Sequence, residues 1–285
     1  MSAQALTDNV HHVNFVRAAK AEWIKLFTLR SSWRTLAVAV VITIGMGVLT
    51  GYTHRMLALS TDLIEANQIP PLLMKASDAV TSPSAVYLAQ IIVCVLAVLA
   101  ITNEYSSGQI RSTLAAVPTR TPVLVAKALI IAVVAYVVTF AAWFVTMLVS
   151  WPFLAGFASG RVPLAPGWSV VDDRFTGATV QTIAGMALAS LLMAVFALAV
   201  GALLRNTAAG IATVFIVIMA LPGLISALPW HAAQTATMYM LPSCLQGLYM
   251  TAGAAFGFVK SLVVSALWAV VPMVAAGILL KKRDA

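Results

Sequence analysis

Few residues of this chain could do chemistry within its long apolar runs. The only ionisable side chains that we place at such depth are Lys127 and Lys260, and both lie near the ends of predicted helices. There a long stem lets the ammonium group reach water. A carboxylate or histidine in the middle of an apolar run would indicate proton or ion coupling, because charge at that depth is costly. We find none, which disfavours a proton-coupled carrier, an ion pump and an intramembrane metalloprotease.

Motifs for the common catalytic and nucleotide sites are also missing. The chain has no G-x-S-x-G elbow, no H-E-x-x-H zinc motif and no G-x-x-x-x-G-K-[ST] loop that would hold nucleotide phosphates. Its two cysteines, Cys94 and Cys244, form no Cys/His cluster for a metal. We therefore predict that the chain is not an enzyme, that it binds no metal and that it holds no cofactor directly.

The composition indicates that these residues belong to a membrane protein. Of 285 residues, 61% are hydrophobic and 9% are charged, whereas average soluble proteins carry about 25% charged residues. A soluble fold of this size could not cover so much apolar surface. We predict an all-α integral membrane protein with a single transmembrane domain over residues 1–285. Six runs fit the roughly 17–25 apolar residues that a spanning helix needs, and they cover residues 35–52, 84–102, 123–151, 176–204, 208–228 and 258–280.

The distribution of Lys and Arg predicts the orientation. With the N-terminus inside, the inner segments hold 12 of these residues and the outer segments hold 5. With the acidic residues included, the inner face carries a net charge of +8 and the outer face a net charge of zero. This asymmetry follows the positive-inside rule, so we expect both termini in the cytoplasm and the chain in the cytoplasmic membrane of the cell. The basic balance is then a topology signal and gives no reason to expect nucleic-acid binding.

Two segments beside the spans carry distinctive patterns. Residues 13–34 are typical of a basic, partly amphipathic helix along the inner membrane interface, with Trp23 at headgroup depth. The alternative is an ordinary flanking helix held by positive charge. Its predicted apolar face comprises Val16, Ala19, Trp23, Leu26 and Phe27, and Arg17, Lys25 and Thr28 lie opposite. Residues 229–257 carry no charge and are rich in aromatic residues. We expect short helices in the outer leaflet, broken at Pro242, with a loop packed on its own protein as the alternative.

The segment after the second span resembles that of a known family. It reads Asn103-Glu104-Tyr105-Ser106-Ser107-Gly108-Gln109-Ile110-Arg111-Ser112-Thr113-Leu114, followed by Pro118, Arg120, Leu124 and Ala126-Lys127. The permeases of ABC-2 type transporters often have Glu, an aromatic or basic residue, Gly-Thr-x-Arg, Leu, Pro-x-x-Arg and a late Lys there, and this chain has Gln109 where Thr is frequent. The run Glu22-Trp23-Ile24-Lys25-Leu26, followed by Thr28-Leu29-Arg30-Ser31, is similar to bacterial, in particular actinobacterial, members. With six spans, the resemblance covers essentially the whole chain.

The resemblance implies an architecture and a function. It implies a type V exporter-like fold, with an N-terminal interfacial helix and outer re-entrant helices before the last span. Such a chain is the permease subunit of an ATP-driven ABC exporter, and works with a second copy or a paralogous permease. A separate ATPase subunit binds ATP and Mg²⁺ and docks on a coupling helix, here residues 104–117. The implied coupling residues are Glu104, Gly108, Arg111, Leu114, Pro118 and Arg120; those of the interfacial helix are Trp23, Lys25, Phe27 and Arg30; the outer gate candidates are Tyr239, Leu241, Pro242, Leu245 and Tyr249.

The residues themselves agree with an energy source that lies on another subunit. A chain without a phosphate loop and without charge inside the membrane has no visible energy source of its own. A pathway without fixed charge suits an apolar or amphipathic cargo such as a drug, an antibiotic, a peptide or a lipid. Two alternatives stay open: a non-transporting membrane scaffold or assembly protein, and a secondary carrier, which the missing carboxylates disfavour. Glu104 and Arg111 could also form only local salt bridges of small value.

Overall fold

Helices make up nearly all of the chain that the computed structural model describes, namely residues 15–28, 30–59, 73–75, 77, 83–109, 120–162, 169–250 and 254–282. The helices are α1 Phe15–Thr28, α2 Arg30–Leu59, α3 Pro83–Ser106, α4 Arg120–Ser150, α5 Pro152–Ala158, α6 Gly177–Leu204, α7 Thr207–Phe215, α8 Leu221–Ser226, α9 His231–Met238, α10 Leu241–Gln246 and α11 Phe258–Lys282. A π-helical turn, Ile216–Ala220, joins α7 to α8. Two short strands, β1 Leu73–Lys75 and β2 Ser169–Val171, pair in parallel.

Six stretches are long and apolar enough to cross a membrane. They are Ser32–Leu59, Val86–Ser106, Pro122–Ser150, Gly177–Leu204, Thr207–Ser226 and Phe258–Lys282. Each overlaps one predicted run, so the prediction of a helical chain with six candidate spans is confirmed. The helix of the first span, α2, continues past the predicted end at residue 52 to Leu59, because its last two turns pack against α5. Tyr52 meets Phe153 edge to face, with ring centroids 6.1 Å apart, and Ala58 is buried beside Leu154 and Phe157.

The spans alternate in direction and gather the connecting segments at two ends. At one end, Thr207 Oγ1 donates a hydrogen bond of 2.8 Å to Thr102 Oγ1, which brings the start of α7 beside the end of α3. At the other end, Gln246 Nε2 of α10 donates a hydrogen bond of 2.6 Å to Tyr87 Oη, near the start of α3. We call the first the α1 end, since α1 packs there on α4 and α2, and the second the opposite end.

Helix α6 is the centre of the bundle and packs on α3, α4, α7 and α11. Its buried residues are mostly small, including six alanines between Ala187 and Ala202. Small side chains let helices approach closely where lipid supplies no hydrophobic drive for association. Gly201 shows this directly: a Cβ atom there would lie 2.9 Å from Ile101 Cγ2 and 3.4 Å from Val98 Cα of α3.

The fifth span is irregular at the point where the sequence places Pro222-Gly223. Pro222 lacks an N–H group, and in a regular helix its ring would clash with the carbonyl of the residue four positions earlier. The π-helical turn Ile216–Ala220 lies directly before α8, whose first turn contains Pro222. A widened turn of this kind accommodates the proline without ending the helix. The interruption predicted from sequence is therefore a local irregularity in a continuous span.

Two connecting segments at the opposite end are joined by the small sheet, which the all-α prediction does not include. Strand β1 pairs with β2 from Leu73↔Ser169 to Lys75↔Val171. Beside the strands, the carboxylate of Asp173 accepts a bond of 2.6 Å from Ser77 Oγ and one of 3.0 Å from Ser77 N. These partners are almost a hundred residues apart in sequence, so no local pattern could have predicted the pairing.

The close packing of α6 yields a stability prediction. A Cβ atom on Gly185 would lie 2.8 Å from the Leu248 carbonyl carbon and 3.1 Å from Tyr249 Cα. Both are backbone atoms that cannot rotate away, so Gly185→Ala should lower the free energy of unfolding by at least about 1–3 kcal/mol. The measurement is reversible unfolding of the purified chain in mixed detergent micelles.

The matched control is Gly45→Ala in α2. A Cβ atom there meets nothing within 4 Å, and alanine favours helix over glycine by about 1 kcal/mol. The control should leave stability unchanged or raise it slightly. Equal effects of the two substitutions would contradict the packing described for α6.

Candidate functional site

Four ionisable side chains from three helices meet at the α1 end. Glu22 and Lys25 come from α1, Glu104 comes from the last turn of α3, and Lys127 lies two turns into α4. Lys127 Nζ donates hydrogen bonds to Glu22 and, at 2.9 Å, to Glu104 Oε1. Lys25 Nζ donates to Glu22 Oε1 at 2.8 Å and to Glu104 Oε1 at 3.2 Å. We call these four residues the ionic cluster.

Three members of the ionic cluster are almost completely buried. The exposed fraction is 5% for Glu22, 6% for Glu104 and 5% for Lys127. Only Lys25 has substantial contact with the surroundings, with 35% of its side chain exposed. An isolated buried charge is expensive, and pairing compensates only when the geometry is good. Here each carboxylate accepts from both ammonium groups, so two negative and two positive charges balance within one compact group.

The local sequence of α1 explains how Glu22 comes to face the bundle. Ala18, Glu22 and Leu26 recur every four residues and are the buried positions of the helix, because residues four apart lie on one face. The face that packs on the bundle lies about a quarter of a turn from the apolar face that the sequence predicts for the membrane interface, and the contact of that apolar face with the membrane stays a prediction. Val16 is 67% exposed and Trp23 is 44% exposed, and together they form an apolar flank beside the buried face.

One prediction about these residues is wrong. Lys127 does not extend along its stem to water; it is buried and paired with two carboxylates. The sequence interpretation also did not pair Lys25 and Lys127 with Glu22 and Glu104, the second of which lies at the end of α3. The signal for this was the lone lysine early in the apolar run 123–151, which needs a partner if it does not reach water.

The carboxylates alter the protonation of Lys25, which lies outside the spans. Partial burial by itself lowers the pKa of this ammonium group. Hydrogen bonds and Coulombic attraction from Glu22 and Glu104 outweigh the burial, and the pKa is raised above the ordinary lysine value of 10.5. Lys25 is therefore cationic at physiological pH, and its contribution to stability is lost only as pH rises through the raised value.

A cavity of about 340 Å³ adjoins the ionic cluster. All four cluster residues line it. The rest of the lining is part apolar, with Leu26, Leu96, Leu99, Ala100, Ile130 and Ile131, and part polar, with Thr28, Ser32, Thr35, Asn103, Ser107 and Gln109. Among the described residues, no group donates a hydrogen bond to Glu104 Oε2, although that oxygen is buried. This oxygen is therefore enclosed by protein atoms and is not accessible from the cavity.

The structure describes only part of the predicted coupling segment 104–117. Helix α3 ends at Ser106, and Gly108 follows in the left-handed conformation with φ 72°, which glycine adopts without strain at a helix C-terminus. Arg111, Leu114 and Pro118 lie outside the described residues. Arg120 is the first residue of α4, and its side chain is likewise not described. Of the predicted coupling residues, Glu104 is the one that the structure brings into the ionic cluster.

The predicted interfacial helix 13–34 overlaps α1 and the start of α2, and Leu29 between them lies outside the described residues. Helix α1 ends at Thr28 and α2 begins at Arg30, whose side chain is not described. Trp33 Nε1 donates a hydrogen bond of 2.8 Å to the Phe27 carbonyl oxygen, which satisfies one carbonyl that the end of α1 leaves without a helical partner. The Phe27 ring lies 4.4 Å from Trp23 and 5.4 Å from Trp33. These aromatic contacts join the end of α1 to the first turn of α2.

The gate candidates lie in or directly after two short helices before the last span, where the sequence predicts short helices within residues 229–257: Leu241, Pro242 and Leu245 belong to α10, Tyr239 follows α9 and Tyr249 follows α10. Leu241, Pro242, Leu245 and Tyr249 are buried within this one chain, which agrees with the alternative of a segment packed on its own protein. Pro242 lies in the first turn of α10, and the break between α9 and α10 falls just before it. Tyr239 is exposed; its hydroxyl accepts a bond of 3.1 Å from Lys260 Nζ, and its carbonyl accepts one from Trp268 Nε1. A gating role for these residues remains a prediction.

No protein-family model, no curated protein and no solved structure matches this chain. The likeness to ABC-2 permeases therefore depends on the residues quoted above. Within the residues that the structure describes, no three His, Cys, Asp or Glu side chains are grouped so as to hold a metal ion.

The ionic cluster yields a second stability prediction. Lys127→Met should lower the free energy of unfolding by about 3–5 kcal/mol, because Glu22 and Glu104 would lose their buried partner. Lys20→Met is the matched control, since Lys20 is an exposed residue of α1 and exposed substitutions usually change stability by less than about 0.5 kcal/mol. Unfolding in detergent measures both. A loss for Lys127→Met no larger than that of the control would show that the cluster does not hold the helices together.

Proposed function

We propose that this chain is the permease subunit of an ATP-driven ABC exporter in the cytoplasmic membrane. A separate ATPase powers it, and it moves an apolar or amphipathic cargo together with a second copy or a paralogous permease. The observation that carries the proposal is the ionic cluster at the α1 end. It ties α1 to α3 and α4, and these are the two spans that the predicted coupling segment connects.

The geometry suits a chain that receives force from a companion. A displacement of residues 107–119 acts directly on the end of α3 and the start of α4. The buried bonds of Lys127 to Glu22 and Glu104 extend that displacement to α1, because separating such a pair leaves a buried charge without a partner. ATP binding then shifts the permease between states only if the companion has different affinities for them.

The predicted coupling residues take different roles in this proposal. Glu104 is buried, so it positions the helices and does not itself touch the ATPase. Gly108 lets the chain leave α3 sharply. Arg111, Leu114 and Pro118 are the residues that the family resemblance assigns to the ATPase contact. ATP and Mg²⁺ stay on the companion in this scheme.

The outer surface of the bundle fits a lipid environment and a second subunit. Helix α11 exposes Val259, Val263, Leu267, Val270 and Val274 along one face. Such a stripe would be unfavourable in water. In the proposed exporter it contacts lipid or the second permease.

The proposed orientation predicts a labelling pattern. Ser107 is exposed at the α1 end and Phe175 is 70% exposed at the opposite end, whereas the native Cys94 and Cys244 are buried. A membrane-impermeant maleimide should label Phe175→Cys in intact cells and Ser107→Cys only in inverted vesicles. The unsubstituted chain reports the background. The reverse pattern would place the α1 end outside and remove the docking site for a cytoplasmic ATPase.

The functional test combines capture and transport. The tagged chain, purified from its host under mild conditions, should carry an ATPase subunit, and inverted vesicles should accumulate an amphipathic dye when ATP is supplied without an ion gradient. Arg111→Ala should lower this uptake roughly ten-fold, the effect of losing about 1.4 kcal/mol at a coupling contact. Arg17→Ala, an exposed residue of α1, should not. A captured complex without any ATPase, together with ATP-independent uptake, would refute the proposal.

A gradient-driven carrier is the second candidate, and the structure gives a specific reason to test it. Glu22 and Glu104 are buried carboxylates, which the sequence interpretation did not expect. A carrier predicts uptake that follows an imposed proton or sodium gradient in vesicles without ATP, and that a protonophore abolishes. A scaffold or assembly protein predicts no uptake under either condition.

A further inference from the structure

Arg205 lies in a turn whose backbone conformation does not suit arginine. It directly follows α6, its N–H donates a bond of 2.9 Å to the Gly201 carbonyl oxygen, and its φ of 52° is in the left-handed region. Among the described residues it is the one non-glycine residue with a positive φ. Glycine takes this conformation at a helix end without steric cost, whereas arginine does not. Strain of this kind points to a role for the side chain.

The guanidinium group of Arg205 is held at the surface of the α1 end. Its Cζ atom lies 5.1 Å from the centre of the Tyr105 ring, in the last turn of α3. A cation–π contact orients the group and leaves most of its five N–H donors available. No ion pair within the described part of the chain includes Arg205. The described acids at this end, Glu22 and Glu104, are buried and already bonded within the ionic cluster.

Two further cations lie in the same part of the α1 end, in the last turn of α11. Tyr105 and Leu280 line one small cavity, so the end of α11 lies beside the ring that carries Arg205. Lys281 and Lys282 follow directly and are exposed. This surface thus has three cations, and within the described residues no exposed carboxylate accompanies them.

Exposed apolar side chains lie next to these cations. Leu204, directly before Arg205, is 43% exposed, and Ile278, one turn before the two lysines of α11, is 49% exposed. Both belong to helices that are long and apolar enough to cross a membrane, so the cations lie where two candidate spans end. Lipid headgroups meet protein cations at that level, while acyl chains contact the apolar side chains. The combination favours a lipid over a soluble anion.

We propose that Arg205, together with Lys281 and Lys282, binds the phosphate group of an anionic phospholipid whose acyl chains lie along the spans that end there. A guanidinium group is suited to phosphate, because its planar N–H donors can bond two oxygens at once. The lysines contribute charge, which favours a lipid with a net negative charge over a zwitterionic one. The inference goes beyond the proposed function, because lipid binding requires neither a companion ATPase nor a cargo.

The experiment compares lipid binding by the purified full chain in detergent, by native mass spectrometry. Phosphatidylglycerol and phosphatidylcholine with identical acyl chains are supplied at equal concentration. The unsubstituted chain should retain phosphatidylglycerol at least roughly five-fold more than phosphatidylcholine. This ratio corresponds to about 1 kcal/mol, the contribution of one cation close to an anionic lipid. Equal retention of the two lipids would overturn the proposal.

Two variants test the position of the site. Arg205→Gly removes the guanidinium group and places there the residue that this backbone conformation favours, so it should fold and should lower the retention ratio roughly five-fold. Lys281→Gln combined with Lys282→Gln should lower the ratio while Arg205 stays in place. Arg161→Gln, at an exposed position of the opposite end, also removes one positive charge and should leave the ratio unchanged. An unchanged ratio in either site variant would overturn the proposal.

Competition identifies the occupant. Glycerophosphoglycerol has the headgroup of phosphatidylglycerol without acyl chains, and it should not displace the bound lipid at equal concentration, because apolar contacts contribute to binding. Displacement at equal concentration would assign the site to a soluble phosphate and overturn the inference. A chain that captures an ATPase through Arg205 but shows no preference for phosphatidylglycerol would assign these cations to a protein partner, which also overturns the inference.

Discussion

The structure depends on a buried group of charges at one end of an otherwise apolar bundle. Burying Glu22, Glu104 and Lys127 separately would cost several kcal/mol each, and only their mutual bonds make the arrangement stable. The helices that carry these residues are therefore constrained to one relative position at the α1 end. Elsewhere the described helices are held by apolar contacts, close packing around α6 and single hydrogen bonds such as that of Thr207 to Thr102.

This constraint connects the two chemical features of the α1 end. The predicted coupling segment connects α3 and α4, so any displacement of it acts on the helices that the ionic cluster ties together. The cavity lies against the same cluster, and α2 contributes to its lining together with α1, α3 and α4. A displacement of α3 and α4 would therefore reshape the cavity.

The sequence predicted what depends on long apolar runs and missed what depends on pairing between distant residues. Hydrophobicity alone located six spans, because a spanning helix must be apolar along most of its length. The irregular fifth span was readable from Pro222, whose ring restricts the backbone locally. The prediction for Lys127 was wrong because a lysine near a helix end can either reach water or pair with a buried carboxylate. Which of the two occurs depends on Glu22 of α1 and Glu104 of α3. The pairing of β1 with β2 could not be predicted either, because it also joins residues that are far apart in sequence.

The most direct test of this account is a double-mutant cycle between Glu22 and Lys127. Unfolding free energies of Glu22→Gln, Lys127→Met and the double variant, measured in one detergent, give the coupling between the two side chains. We predict that the double variant loses less stability than the sum of the single variants, by about 2 kcal/mol or more, since the second substitution removes a charge that the first had already isolated. Losses that add to within about 0.5 kcal/mol would show that the two residues do not interact, and would contradict the account.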